Sequence, residues 1–476
     1  IKWDYNIVAK RMEKRGLFIF HRDLRIIDNI TLIRASKECD KLYTVFIFTP
    51  EQVSKSNSFK SKNAVQFMIE SLKDLSKEIK EQGGELITLY GDPEKMTNIL
   101  IQRLKIDAVY FNRDYTPYAM KRDGETTRLC EKLEIPCITQ NDYYLQEPGT
   151  ILNGSGDFYR KFTPFYEKVA LMDVRAVSKR APTHFTSFTG TLDHKIILHN
   201  AFDKFVGIDN EKIAVRGGRA EGLVKLRNAT LDLKDYAETR DNMSINTSYL
   251  SAYIKFGCVS IREVYYSFKQ RYGLHHEFIR QLIWRDFYAH NLFGYPQTLG
   301  HMFSQHVDDI KWKTNLEHLD AWKKGETGFP LVDAGMRQLN ETGYMHNRVR
   351  MMVATFLTKI LMIDWREGER YFAQQLTDYD VASNSGNWQA IVGGGYYAMP
   401  WFRIMSPWVQ SKEYDKEAVY IQHWVPELRY VNAKDIHKWY KTCDLSEYKD
   451  IDYNKPIVNY KKQKETFMKL YKDAYV

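Results

Sequence analysis

The stretch Asp378-Tyr379-Asp380-Val381-Ala382-Ser383-Asn384-Ser385-Gly386-Asn387-Trp388 concentrates two carboxylates, two amides and a glycine. Short polar side chains compete for backbone hydrogen bonds, so the stretch reads as poor for a regular helix and good for a polar pocket. Its oxygens can accept from ribose hydroxyls or ring N–H groups. A calcium loop is the rival, but the EF-hand spacing and closing Glu are missing. A plain helix-capping turn is the other alternative.

A second set lies upstream. A helix over 275–293 puts Ile279, Leu282, Ile283 and Phe287 on a buried stripe, and Gln281, Trp284, Arg285 and Tyr288 on another face at i, i+3, i+4 and i+7. A flat ring, a planar cation and an amide suit stacking on bases and holding phosphates. The alternative is an exposed amphipathic face with its Trp half-buried. In Thr342-Gly343-Tyr344-Met345-His346-Asn347-Arg348-Val349-Arg350-Met351, the positions Met345 and Val349, with Met352, Val353 and Phe356 beyond, read as core. Asn347, Met351 and Ala354 take a different face. Arg348 and Arg350 diverge by ~200°, so at most one shares the Asn347 surface. An inward Arg needs an acidic partner or a buried anion. His346 reads as a satisfied core histidine rather than a catalyst, and 364–367 resembles a capping box with Asp364 as the cap. His275-His276 lacks the companions of a metal motif. No GxSxG or other nucleophile motif occurs, which points to a cofactor as the source of the chemistry.

The elements that must position these residues fall into two kinds. Residues 16 to 140 alternate strands (17–20, 42–48, 85–90, 107–111, 136–139) with helices (63–82, 93–104, 118–133), the signature of a doubly wound parallel sheet. Val65, Met68, Leu72, Leu75 and Ile79 form the stripe of the first of these helices. Neither GxGxxG nor GxxxxGK[ST] follows a strand, so the sheet does not announce a nucleotide. Positions 171–215 lack periodicity and read as a connection; from 217 the pattern is helical. The division expected is an α/β domain over 1–145, a connection over 146–215 and a helical domain over 216–476.

Composition agrees with a folded, two-part chain. Of 476 residues, 44% are hydrophobic and 27% charged, which excludes a largely disordered protein. No apolar run approaches the ~18 residues of a membrane span, and no secretory leader is evident, so an intracellular protein is expected. The net charge of +9 suits an anionic partner. Five scattered cysteines exclude a disulfide scaffold and the common zinc and iron–sulfur spacings. Nine of ten Trp lie beyond residue 283, so the second half is a different object from the first.

Taken together, these residues resemble the photolyase/cryptochrome family, most of all its cyclobutane pyrimidine dimer photolyases. His21-Arg22-Asp23-Leu24-Arg25 followed by Asp28-Asn29 is similar to the family's opening after its first strand. Residues 327–337, 342–351, 364–372 and 378–389 are similar to its helical-domain signatures, and the likeness runs from about residue 16 to about residue 415. The resemblance implies an α/β N-terminal doubly wound parallel-sheet domain followed by a large all-α C-terminal FAD-binding domain. It implies U-shaped FAD held by Tyr236, Thr247, Ser248, Leu250, Ser251, Gln281, Arg285, Asn347, Arg350, Asp378, Asp380 and Asn384. Asn384 would stand beside the flavin's redox-active nitrogen, and Arg350 would pair with Asp378. Trp388, Trp365 and Trp312 match a chain that carries electrons to the flavin. Arg240, Gln281, Trp284, Arg285, Asn347, Arg348, Met351 and Arg403 match DNA-facing or lesion-facing positions. A folate or deazaflavin antenna is held by many relatives, and 112–115 lies where such contacts occur.

The implied reaction is light-driven electron donation to a cyclobutane dimer in ultraviolet-damaged DNA, by an enzyme expected to be monomeric, with the damaged pair flipped from the duplex. Two positions depart from the pattern. Gln281 stands where bacterial dimer-repair enzymes carry Glu, and Ala390 replaces a second Trp of the lesion pocket, thinning one stacking wall unless Trp401 or a Tyr compensates. Asn347 and Met351 argue against (6-4) repair, whose enzymes use two histidines there. The alternatives are a cryptochrome-type blue-light receptor that binds FAD without repair, and a DNA-binding flavoprotein with residual or single-strand-restricted repair.

Overall fold

The computed structural model describes residues 13–182, 184–245, 247–308, 310–396, 400 and 402–474. The chain opens with a five-stranded parallel sheet: β1 Arg15–Phe20, β2 Lys41–Phe48, β3 Leu86–Tyr90, β4 Ala108–Arg113 and β5 Cys137–Asn141, in the order β3-β2-β1-β4-β5. Beyond its first residue β1 is buried throughout, as is β2, because helices cover both faces of the sheet. These helices are α1 Ile30–Glu38, α2 Lys62–Glu81, α3 Pro93–Leu104 and α4 Pro117–Lys132. Each has a side-chain N-cap: Asn29, Ser61, Asp92 and Thr116 accept from backbone N–H groups two or three residues into the helix. The helix α1, which buries Thr31, Leu32 and Ala35, is absent from the sequence-based expectation. The strand order reverses between β1 and β4, and the crevice at their C-terminal ends is where such sheets bind ligands.

The connection is less bare than expected. It contains α5 Phe162–Ala170 and α6 Leu198–Phe205, and a bridge pairs Leu89 with Lys195. The helical part then includes α7 Arg219–Asp232, α8 Ser251–Lys255, α9 Ile261–Tyr272, α10 Glu277–Gly294, α11 Pro330–Thr342, α12 Asn347–Thr355, α13 Trp365–Gln375, α14 Val381–Val392 and α15 Tyr460–Ala474, with further helical segments between. The stripes of α2, α10 and α12 are buried as their periodicity predicts. Among the described residues no helix is long and apolar enough to cross a membrane.

Charge locks the two parts together. Arg25, Asp28 and Asp142 from the sheet domain meet Arg262 of α9, and all four are almost wholly buried. Arg262 Nε donates to Asp28 at 2.9 Å and Nη2 to Asp142 at 2.7 Å; Arg25 also pairs with Asp142. Arg25 and Asp28 belong to the segment that follows β1, so much of that motif is a structural clamp.

Candidate functional site

Four helical-domain elements converge on one cavity. Asn347, Arg350 and Met351 project from α12, Phe372 from α13, Asp378 and Asp380 from the turn after α13, and Asn384, Asn387 and Trp388 from α14. Of the two diverging arginines of α12, Arg350 turns inward. It grips Asp378 with both nitrogens, at 3.2 and 2.9 Å, and this carboxylate outweighs burial to hold the guanidinium firmly charged. Arg348 turns away to pair with Asp241 and cover the Tyr414 ring.

The expectation that 378–388 is poor for a regular helix is corrected: α14 is regular from Val381. Asp380 caps it, accepting from Ser383 N at 3.0 Å, so the capping and pocket readings hold together. The helix is tolerated because its small residues face a neighbour; a Cβ on Gly386 would lie 2.4 Å from the Tyr288 ring of α10. Tyr288 also donates to Asn387 Oδ1 at 3.0 Å, tying α10 to the cavity wall.

The electrostatics of the cavity are those of an acceptor surface. Burial would raise Asp380, but Arg22 and Arg285 hold it down at about 2. Arg22 reaches Asp380 from the loop after β1, at 3.0 Å, and Asp114 at 2.8 Å. Asn384 spends its Nδ2 on the backbone carbonyl and carboxyl of Glu369, both at 3.2 Å, which leaves Oδ1 as the atom able to accept. Burial pushes Glu369 up to about 7, against the Asn384 hydrogen bond. The sequence reading missed Glu369 and Arg22. The first lies in a helix pattern like any other; the second is separated from its partner by 358 positions. A flavin ring carries N–H groups flanked by carbonyls, and a ribose carries hydroxyls. Asp378, Asp380 and Asn384 supply the matching acceptors, so the donor set fits FAD.

The remaining expected cofactor residues lie around this cavity to different degrees. Thr247 shares a 2.6 Å hydrogen bond with Tyr344, over whose ring Arg350 sits, which links the 247–251 segment to the cavity. Ser248 accepts from Leu250 N, Leu250 is fully buried, and Ser251 opens α8 on the surface. Tyr236 packs edge-on against Phe278 of α10. Arg285 bonds Tyr143 O at 2.7 Å and stacks over Tyr144, so it serves the domain junction beside Asp380 rather than an open DNA-facing rim. Asn347 is exposed at the mouth with Met351 behind it. Gln281 bonds Glu277 on α10, and Arg240 reaches the same carboxylate. Trp284 stacks on Phe162 at 3.6 Å, which covers one ring face. Arg403 is exposed, and its carbonyl accepts from Lys359. Trp401 lies outside the described residues. His346, expected in the core, caps α12 and is held neutral by burial, at about 4.

The three tryptophans grade outward. Trp388 and Trp365 are buried and Trp312 is half-buried. Gly368, one turn beyond Trp365 on α13, lies directly against the Trp388 ring. The indole N–H groups of Trp365 and Trp312 have no hydrogen-bond partner among the described residues.

A second cavity of about 330 Å³ occupies the crevice at the β1/β4 switch point. Asp114, Arg122, Tyr118 and Lys255 line it, and it shares Tyr379 and Asp380 with the first. Of the expected 112–115 contacts only Asp114 lines it. Asn112 is consumed by Asp23, Asn29 and Thr31, and Arg113 pairs with Glu147.

Residues 17–183 match the family described as DNA photolyase, and residues 278–473 match the FAD binding domain of DNA photolyase. A deoxyribodipyrimidine photo-lyase of Alkalihalophilus pseudofirmus is 36% identical over 95% of this chain and 97% of its own. The archaeal photolyase of Sulfolobus tokodaii, solved with two FAD molecules, superposes with a TM-score of 0.85 at 39% identity over 96% of this chain and all of that one. A class III photolyase of Agrobacterium tumefaciens superposes with a TM-score of 0.91 at 30% identity, over 99% of both chains.

Proposed function

The chain belongs to the DNA photolyase family, and on that premise we propose that it repairs ultraviolet-damaged DNA by light-dependent splitting of cyclobutane pyrimidine dimers, with FAD in the helical cavity. Bound FAD supplies light-driven electron donation. The chain's own part is to bind, orient and exclude water. Asp378 and Asp380 accept from the ring and ribose, with their charge held by Arg350 and Arg22. Asn384 presents Oδ1 to the ring edge, and the 247–251 segment with Tyr236 takes the diphosphate end.

Asn347, Met351, Gln281 and Trp284 meet the damaged pair at the mouth, while Arg240, Arg348 and Arg403 face the phosphates. Binding therefore weakens as salt rises. Trp388, Trp365 and Trp312 carry electrons inward. The crevice at the sheet switch point receives a second chromophore; its mixed charge and aromatic lining support this. We divide the chain at 1–145, 146–215 and 216–476. We assign it to action as a monomer, inside the cell where the DNA is.

The observation that carries the reading is the acceptor wall of Asp378, Asp380 and Asn384 opening onto Asn347 and Met351. The test is repair of dimer-containing DNA by reduced enzyme in light and in darkness. Loss of dimers only in light is the expected result. Bound FAD with no light-dependent loss would instead leave a blue-light receptor, the reading to which Gln281 and Ala390 lean.

A further inference from the structure

At the start of α10 one carboxylate serves two partners. Glu277 Oε1 accepts from Arg240 Nη1 at 2.5 Å and from Gln281 Nε2 at 2.8 Å. Glu277 and Gln281 are one helical turn apart, so their side chains lie on one face. A carboxylate held by a guanidinium has no hydrogen to give, so the amide must turn its nitrogen towards it. The Gln281 carbonyl oxygen is thereby aimed away from Glu277, and among the described residues nothing donates to it. Trp284 and Arg285 continue this face, and Tyr288 beyond them bonds the cavity wall at Asn387. A free glutamine can present either end of its amide to a partner; here the nitrogen is held on Glu277, so the oxygen is the end that faces the other way.

We propose that Glu277 is a positioning residue for lesion recognition, locking Gln281 as a hydrogen-bond acceptor and so selecting pyrimidines that carry an N3–H over cytosine, whose N3 is itself an acceptor. The inference deepens the repair reading above, in which Gln281 meets the damaged pair. Glu277, one turn before Gln281 and paired with Arg240, acts through the amide.

The test uses FAD-loaded, reduced enzyme and duplexes of one sequence carrying either a thymine–thymine dimer or a freshly made cytosine–cytosine dimer, assayed before deamination. Binding is measured in the dark and repair in the light. The native enzyme is expected to hold the thymine dimer about tenfold tighter, the worth of one hydrogen bond against an acceptor–acceptor clash. In Glu277→Gln the amide at 281 is free to rotate, and the preference falls to about twofold. The paired exchange Glu277→Gln with Gln281→Glu puts the carboxylate at 281 and its donor at 277, and restores the preference. Arg240→Ala weakens both duplexes alike. FAD content, followed by absorbance, reports intact folding in every variant. An unchanged preference in Glu277→Gln, or failure of the paired exchange to restore it, overturns the proposal. So does native enzyme that repairs both dimers without preference. Native enzyme that repairs neither overturns the functional reading itself.

Discussion

Single residues in the cavity carry more than one duty, and substitutions can separate them. Asp380 caps α14 and holds a charge facing the cavity. Asp380→Ala loses both, and Asp380→Asn keeps the cap. We expect FAD content after purification to fall in both variants, while only the Ala variant loses the further ~1 kcal/mol of a missing cap, measured by denaturant unfolding. Full FAD occupancy in either would contradict the assignment. Glu369 offers a pH test. Its carboxyl lies at about 7 in the fold against an ordinary 4.5, so the folded state holds a proton that the unfolded chain has released. Native stability therefore declines between these pH values and levels off above them. Glu369→Gln cannot titrate yet still accepts from Asn384. Its advantage over the native protein should be absent near pH 4 and grow to at most about 3 kcal/mol at pH 8. Equal pH profiles would show that the buried carboxyl does not titrate in this range.

At the scale of elements, the contact of α13 with α14 is set by a glycine. A Cβ on Gly368 would sit 2.2 Å from Trp388 Cη2 and 2.6 Å from a Leu357 methyl. The indole cannot yield without moving its neighbours, so Gly368→Ala should cost ~1–3 kcal/mol and displace Trp388. If Trp388 and Trp365 carry electrons to the cavity, Gly368→Ala slows photoreduction of oxidised flavin. Trp365→Phe blocks it while sparing repair by chemically reduced enzyme. Native photoreduction rates in Trp365→Phe would remove that residue from the path. The same packing logic explains why a stretch polar enough to read as poor for a helix forms a capped one from Val381: Gly386 lets α10 approach closely enough for Tyr288 to bond Asn387.

Across the whole molecule, the two parts are joined by paired charges rather than by a greasy seam alone. Arg262 answers Asp28 and Asp142 in a site closed to water, and Arg22 bridges Asp114 of the sheet domain to Asp380 of the helical domain. Removing one partner leaves a buried charge uncompensated. Arg262→Met should therefore lower stability by about 3–5 kcal/mol, read as a fall in the urea midpoint, with the sheet domain unfolding before the helical one. A single transition at the native midpoint would refute the clamp.

What the sequence determined by itself is whatever depends on near neighbours. The strand–helix alternation, the buried stripes of α2, α10 and α12, and the inward turn of one α12 arginine all follow from periods of two and 3.6 residues. The family motifs were legible for the same reason, since their residues are contiguous. Tertiary structure alone decided which distant charge answers which. Arg22 finds Asp380 and Arg262 finds Asp28 across hundreds of positions, and Arg285 turns to Tyr143 at the domain junction. It also decided that Glu369 lies behind Asn384 and that Arg240 comes to Glu277. Chain order specifies which face of a helix is apolar. It does not specify what is packed against the other face, and in a water-poor interior that neighbour sets both the partner and the charge.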